Sequence, residues 1–217
     1  MTTRLSLLWS IPLLVAVFTV TAVAEVSVRE EPMTIPTWLI GPPAVHSVSN
    51  RQGPIYPYTL NETLTDEKVD KTYEAVTLEN EYIKVLILPE IGGRVHGALD
   101  KTNNYVWLYW QRTIKPGLIS MTGAWISGGI EWNFPHGHRP SCFMPVDHRI
   151  VKNPDGSATV WVGETEPVYR MRWLIGITVF PGRSYMRCQY VFINPTNYRH
   201  PFQFWATGAT HANEWAQ

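Results

Sequence analysis

Between Gly128 and Pro140 the chain reads Gly-Gly-Ile-Glu-Trp-Asn-Phe-Pro-His-Gly-His-Arg-Pro, and Asp147 and His148 follow shortly after. Glu131, His136, His138, Asp147 and His148 bring five groups able to carry a proton or hold a metal into eighteen residues. The glycines and prolines among them place the cluster on an exposed loop. Carboxylate and imidazole exchange protons with hydroxyl and ring oxygens near neutral pH, which is what glycosyl chemistry needs. Glu131, His136 and His138 are therefore candidate catalytic groups, with Trp132, Asn133 and Asp147 as candidate substrate contacts. Asp147 is also the nearest acidic partner for Glu131, should the chemistry be glycoside hydrolysis by paired carboxylates. A metal is the competing reading, because a strand would point His136 and His138 to one side and Glu131 would make a third ligand. Their spacing matches no familiar zinc motif, so no metal is assigned. Taken singly, each histidine is more simply a loop residue satisfied by backbone carbonyls.

A second motif runs Leu88-Pro89-Glu90-Ile91-Gly92-Gly93-Arg94-Val95-His96-Gly97. Paired glycines suit a strand whose backbone approaches another closely. Arg94 carries a planar fork of donors that fits vicinal hydroxyls, which makes it a further candidate for substrate binding. The order of residues in a Walker-type phosphate loop is absent, and no cofactor is assigned.

The elements that must position these groups are strands. Tyr73 to Leu78, Ile83 to Leu88, Tyr105 to Trp110, Ala158 to Val162, Tyr169 to Phe180 and Ser184 to Ile193 are β-branched and aromatic runs bounded by turn residues. Asn153-Pro154-Asp155-Gly156 predicts a hairpin between Arg149-Ile150-Val151 and the run from Ala158, and Pro181-Gly182 predicts another. In the strand after Pro181-Gly182, Met186, Cys188, Tyr190 and Phe192 alternate with a mixed face, as in an antiparallel sheet packed on one side. Residues 25–72, broken by Pro32, Pro36, Pro42, Pro43, Pro54 and Pro57, read as an extended Pro-rich lead-in. Residues 73–217 form one all-β domain, a large antiparallel β-sandwich. The aromatic and polar stretch from Trp205 to Gln217 has no tail of the kind that closes a domain, so the sandwich is expected to be truncated at its C-terminus.

Arg4 precedes an apolar run from Leu5 to Val20 that ends in Ala22-Val23-Ala24. That is the order of a secretory signal peptide over residues 1–24, and it predicts a mature chain starting at Glu25, secreted or periplasmic and not held in the membrane after cleavage. Eighteen basic and eighteen acidic residues leave a formal charge of zero. No electrostatic footing exists for nucleic acid or an anionic membrane, and a neutral partner fits better. Ten Trp and ten Tyr supply flat faces of the kind that stack on sugar rings, besides ordinary core material. Cys142 and Cys188 allow one disulfide but not a disulfide scaffold.

Three segments carry a resemblance. Ile83 to Val95, with its Gly92-Gly93-Arg94, resembles the opening strands of galactose mutarotase-like proteins. Gly128-Gly129-Ile130-Glu131-Trp132-Asn133-Phe134-Pro135 is similar to the Gly-Gly-Ile-Pro-x-x-Phe-Pro segment of hexose-phosphate epimerases in that superfamily. Arg187 to Phe202 follows their later pattern of strand, turn and proline. Taken together, Tyr73 to Gln217 looks most like an uncharacterised bacterial domain family often joined to tetratricopeptide repeats. The resemblance implies a supersandwich with a carbohydrate on a concave face, where one His protonates the ring oxygen and one Glu takes the anomeric proton. It also implies possible tetratricopeptide repeats downstream. Here Thr207 stands where the epimerase His would be, His211 lies further along as the candidate from that segment, and Glu131 replaces a Pro. The epimerase Glu would fall beyond Gln217. The functional expectation is an epimerase or glycoside hydrolase acting on a neutral sugar; the alternative is a carbohydrate-binding module of a larger protein.

Overall fold

The computed structural model describes residues 25–44, 49–50 and 52–212. The expected signal peptide lies outside the described residues. In chain order the strands are β1 (Ser27–Ile40), β2 (Ser49–Asn50), β3 (Gly53–Pro54), β4 (Leu64–Glu79), β5 (Ile83–Leu88), β6 (Arg94–Asp100) and β7 (Tyr105–Leu108). There follow β8 (Gly117–Ser120), β9 (Gly123–Trp125), β10 (Ile130–Asn133), β11 (Asp147–Lys152), β12 (Ala158–Thr165), β13 (Arg172–Val179), β14 (Met186–Ile193) and β15 (Trp205–Gly208). A single turn of 3-10 helix, Pro140–Phe143, joins β10 to β11. The all-β antiparallel sandwich expected from the strand pattern is the architecture.

Two sheets make the sandwich. The first runs β1-β4-β5-β6-β10-β15, with β7 also paired to β6, and the second runs β11-β12-β13-β14. Both anticipated hairpins are present: Asp147 to Lys152 pairs with Ala158 to Gly163, and β13 pairs with β14 from Arg172↔Ile193 to Val179↔Met186. Between the sheets lie Val76, Leu78, Val85, Ile87, Val95 and Trp132 from one side and Val160, Val162, Trp173, Ile175 and Ile177 from the other. The opposite face of the first sheet is also covered, by a second cluster of Ile35, Tyr73, Ala75, Leu86, Leu88, Ile91, Ile114 and Ile126. Burial on both faces explains why β5 is a nearly continuous apolar run rather than an alternating one.

The Pro-rich segment differs from the reading as a lead-in that no regular element enters. Ser27 to Ile40 is a 14-residue strand, paired along β4 from Ser27↔Glu79 to Ile40↔Leu64 with one register shift after Trp38. The physical reason is position. β1 is an edge strand, and an edge tolerates proline wherever the missing N–H would point away from the partner strand. The outer side of this edge is itself used near its end, where Trp38 N donates to Ile114 O and Ile114 N donates to Pro36 O.

Gly92 and Gly93 bear out the close approach their pairing suggested. A Cβ on Gly92 would stand 2.4 Å from Cys142 O, and one on Gly93 would stand 2.8 Å from Val162 Cβ. Both residues sit at positive φ, 67° and 65°. They let the first sheet touch the 3-10 turn and the second sheet immediately before Arg94. Cys142 and Cys188 are both free, so the disulfide that two cysteines allow is not made. Burial pushes their thiols up, to about 12 and about 11.

Candidate functional site

Strand alternation sorts the Glu131-Trp132-Asn133 run into two faces. Trp132 turns inward, is 1% exposed and donates its Nε1 to Gly93 O at 3.0 Å. It is a core residue rather than the substrate contact expected from the sequence. Glu131 and Asn133 share the other face of β10, and across the ladder Glu131 faces Thr207 while Asn133 faces Trp205. Period two therefore puts Glu131, Asn133, Trp205 and Thr207 on one side of the β10–β15 pair.

Glu131 is the centre of that side. Its carboxylate accepts from Trp125 Nε1 at 2.9 Å and lies 3.1 Å from His138 Nδ1. With the Asn133 amide oriented by its hydrogen-bond partners, its nitrogen donates to Glu131 Oε1 at 3.0 Å and its oxygen accepts from Trp205 Nε1 at 3.0 Å. Burial pushes the Glu131 carboxyl up, but hydrogen bonds from His138 and Trp125, with the charges of His138 and Arg94, outweigh it and hold the group below the usual carboxylate range. Its hydrogen bond to Glu131 holds His138 above the usual imidazole range, against a smaller opposing effect of burial. The two shifts agree in direction: each partner favours the charged form of the other. An ionised carboxylate only accepts, so Nδ1 carries the proton toward Glu131 and Nε2 is left for something else.

The exposures of the two partners decide their roles. The His138 side chain is 26% exposed and that of Glu131 only 4%. His138 therefore faces outward and Glu131 acts through it. Two indoles bracket the imidazole edge to face: Trp125 at 5.7 Å between centroids and Trp205 at 5.9 Å. Neither indole was among the residues the sequence singled out. Trp205 sits 67 positions after His138 in the chain, and only the β10–β15 pairing brings it there.

The remaining sequence candidates lie elsewhere. His136 does not join His138, because the chain between them turns through Gly137 at φ 53° instead of running as a strand. His136 stands edge-on to Tyr169 at 5.0 Å, and burial pushes its imidazole below the ordinary range. Glu131, His136 and His138 thus do not converge as three ligands, and no such metal set occurs among the described residues. Arg94 is buried, and its guanidinium donates to the carbonyls of Ile126 and Gly128. Its fork holds the loop before β10 rather than facing a ligand, and burial pushes it down to about 10. Asp147 begins β11 in the second sheet, and His148 pairs with Glu30 Oε1 at 2.6 Å. His211 packs on the rings of Tyr109 and Tyr105, at 5.5 and 6.4 Å.

Arg139, next to His138, fixes the loop. Its side chain is 1% exposed, its Nε donates to Trp132 O at 2.8 Å and its other nitrogens reach Gly92 O and Ser141 Oγ. The guanidinium also lies 4.2 Å over the Trp173 ring and 3.6 Å from Glu164 Oε1. One arginine thereby ties the first sheet, the 3-10 turn and the second sheet together at the residue that follows His138.

Residues 50–217 match a family described as "Domain of unknown function (DUF5107)". A TPR-domain containing protein from Parabacteroides distasonis ATCC 8503, solved by crystallography at 2.26 Å, is similar over 87% of this chain, with 26% identity and a TM-score of 0.80. The match covers 33% of that protein, so the chain spans about a third of its length.

Proposed function

The chain belongs to the DUF5107 family, and from that premise we propose that it is an exported carbohydrate-binding protein of galactose mutarotase-like kind. Its site is the side of β10 and β15 turned away from the second sheet, where His138 is the partly exposed group. One observation carries the reading: the His138 imidazole, oriented by the buried Glu131 carboxylate, lies edge to face with two indoles on the partly exposed side of the pair. Indoles offer stacking surface to a sugar ring, and an oriented imidazole offers a hydrogen bond or a proton to a ring or anomeric oxygen. In the acid–base form of this function, His138 Nε2 gives its proton to the ring oxygen as the ring C–O bond breaks, the anomeric hydroxyl loses its proton to water, and the reverse transfers close the ring on either face while Glu131 keeps the imidazole oriented. The apolar run from Leu5 to Val20 ending at Ala24 supports export. The TPR-domain containing relative supports a setting beside tetratricopeptide repeats.

A purely binding role is the second reading, and one observation favours it. Glu131 is buried and already bonded to Trp125 and His138, so it is not free to take a proton from a sugar itself. The two are separated by following the α and β anomers of glucose and galactose by NMR in the presence of wild type and His138→Ala. A catalyst speeds interconversion about a hundredfold or more over the variant. A binding module shifts sugar resonances without speeding exchange. Neither effect with any mono- or oligosaccharide in a panel would overturn the carbohydrate reading. Export is checked by N-terminal sequencing of the mature protein, with Glu25 expected first.

A further inference from the structure

The outward face of the second sheet carries a site of its own. Val160, Val162, Trp173, Ile175 and Ile177 point into the core, so the alternate positions on β12 and β13 point away from it. There, a Cβ added to Gly176 would meet three carbons of the Trp161 benzo ring, Cη2, Cζ2 and Cζ3, each at 2.9 Å. Three equal distances mean that the ring lies face-down on the glycine. Gly176, the cross-strand partner of Trp161, is the residue type that leaves room for this. The indole is thus laid flat on the sheet with its other face outward.

Charged groups surround this platform. Arg149 is paired directly opposite Trp161 in the β11–β12 ladder, and Arg172 is paired opposite Thr165 in the β12–β13 ladder. Together with Asp147 and Leu174 these residues line a cavity of ≈ 340 Å³ built only from β11, β12 and β13. That volume lies at the small end of ligand pockets, about 300–1,000 Å³, and suits a sugar of one or two rings. Arg149, Arg172 and Asp147 are exposed, and none forms an ion pair among the described residues. His148 and Glu164, which also border the cavity, are engaged by Glu30 and Arg139.

We infer that this face binds an acidic saccharide, with a uronate ring stacked on Trp161 and its carboxylate held by Arg149 and Arg172. Of the two carboxylates that line the cavity Glu164 is matched by Arg139, so Arg149 and Arg172 stand against Asp147 alone and leave an excess of positive charge. The planar fork of arginine matches a carboxylate with two parallel hydrogen bonds. Asp147 and Thr165 remain for ring hydroxyls. The site is separate from the β10–β15 side and does not rest on the function proposed for it.

The test is calorimetric titration of the full protein with trigalacturonate, and with maltotriose as the uncharged comparison. Trigalacturonate is expected to bind saturably and at least tenfold more tightly than maltotriose, with the difference shrinking as salt is raised. Arg172→Ala and Arg149→Ala, both exposed positions, should each weaken trigalacturonate at least tenfold, and Trp161→Ala should abolish it. His138→Ala should leave it unchanged. No binding of trigalacturonate, equal binding of the two sugars, or affinity that survives both arginine substitutions would overturn the inference. Loss on His138→Ala alone would assign the binding to the other site and overturn it equally.

Discussion

Glu131 and His138 are joined by a contact of 3.1 Å between Oε2 and Nδ1 that has one end buried and the other at the surface. A buried carboxylate is costly unless its lone pairs are filled, and here Trp125 and the Asn133 amide fill the others. The imidazole is therefore anchored by a group that cannot readily turn elsewhere, while its own side chain is 26% exposed.

Glu131→Gln keeps the shape of the side chain but removes the charge that raises His138. Hydrogen bonds to charged groups contribute about 1.5–3 kcal/mol each, so the variant should melt roughly 4 °C or more below wild type. The difference has a defined pH window. His138 is raised, so its contribution is complete below its unfolded value of 6.5 and fades as pH rises through the folded value. Glu131 is lowered, so its contribution is complete above 4.5 and fades as pH falls through the folded value. Thermal melts from pH 3 to 9 should show the largest gap between pH 4.5 and 6.5. A gap independent of pH would mean that the two groups are not linked.

His138→Ala and His136→Ala should separate sharply, although only two positions divide them. The first removes the outward-facing group and should weaken sugar binding tenfold or more; the second removes a ring packed on Tyr169 and should leave sugar binding within twofold. Parallel titrations with one responsive monosaccharide measure this. Equal losses in the two variants would return the histidines to a shared site.

Arg139→Met removes a buried cation whose donors reach three parts of the fold. Glu164 and the carbonyls of Trp132 and Gly92 would lose a donor, and breaking a buried pair from one side costs about 3–5 kcal/mol. Urea unfolding should show a lower midpoint with little change in slope. Arg139→Lys should recover only part of the loss, because an ammonium cannot reproduce the guanidinium fork.

His96 is buried, with Nε2 2.9 Å from Gln111 O, and burial pushes its imidazole down to about 4. A lowered histidine takes up its proton in the unfolded chain first, so stability should fall as pH drops from 6.5 toward 4 and level off below. The interval corresponds to about 3 kcal/mol. His96→Gln can still donate to the Gln111 carbonyl without titrating. Its stability should be flatter across the same interval, as judged by denaturant midpoints at pH 7, 5 and 4.

Much of the sandwich is legible in the chain because its signals are local. Asn153 to Gly156 and Pro181-Gly182 encode turns within four residues, and they produced the β11–β12 and β13–β14 hairpins. Gly92-Gly93 announced a close approach, since only glycine meets its steric demand. The loop from Gly128 to Pro140 was also recognisable as the densest set of reactive side chains, and Glu131 and His138 within it do meet.

What each of those side chains faces was decided in three dimensions. Trp132 and Glu131 are neighbours in sequence and both are buried, yet one enters the core between the sheets and the other the candidate site, because the face of β10 that meets the second sheet is set by the packing of the two sheets. Arg94 turned to the carbonyls of Ile126 and Gly128 because burial left it no solvent and the preceding loop offered unfilled acceptors. β1 became a strand despite its prolines because β4 supplies hydrogen bonds on one side only. Trp205 reached His138 through strand pairing across 72 residues, from Asn133 to Trp205. The sequence by itself determined turns, periodicity and an inventory of chemical groups, which depend on a few adjacent residues. Only the tertiary structure decided which groups meet, because that depends on strand register and on which face is covered, and both are set by residues far apart in the chain.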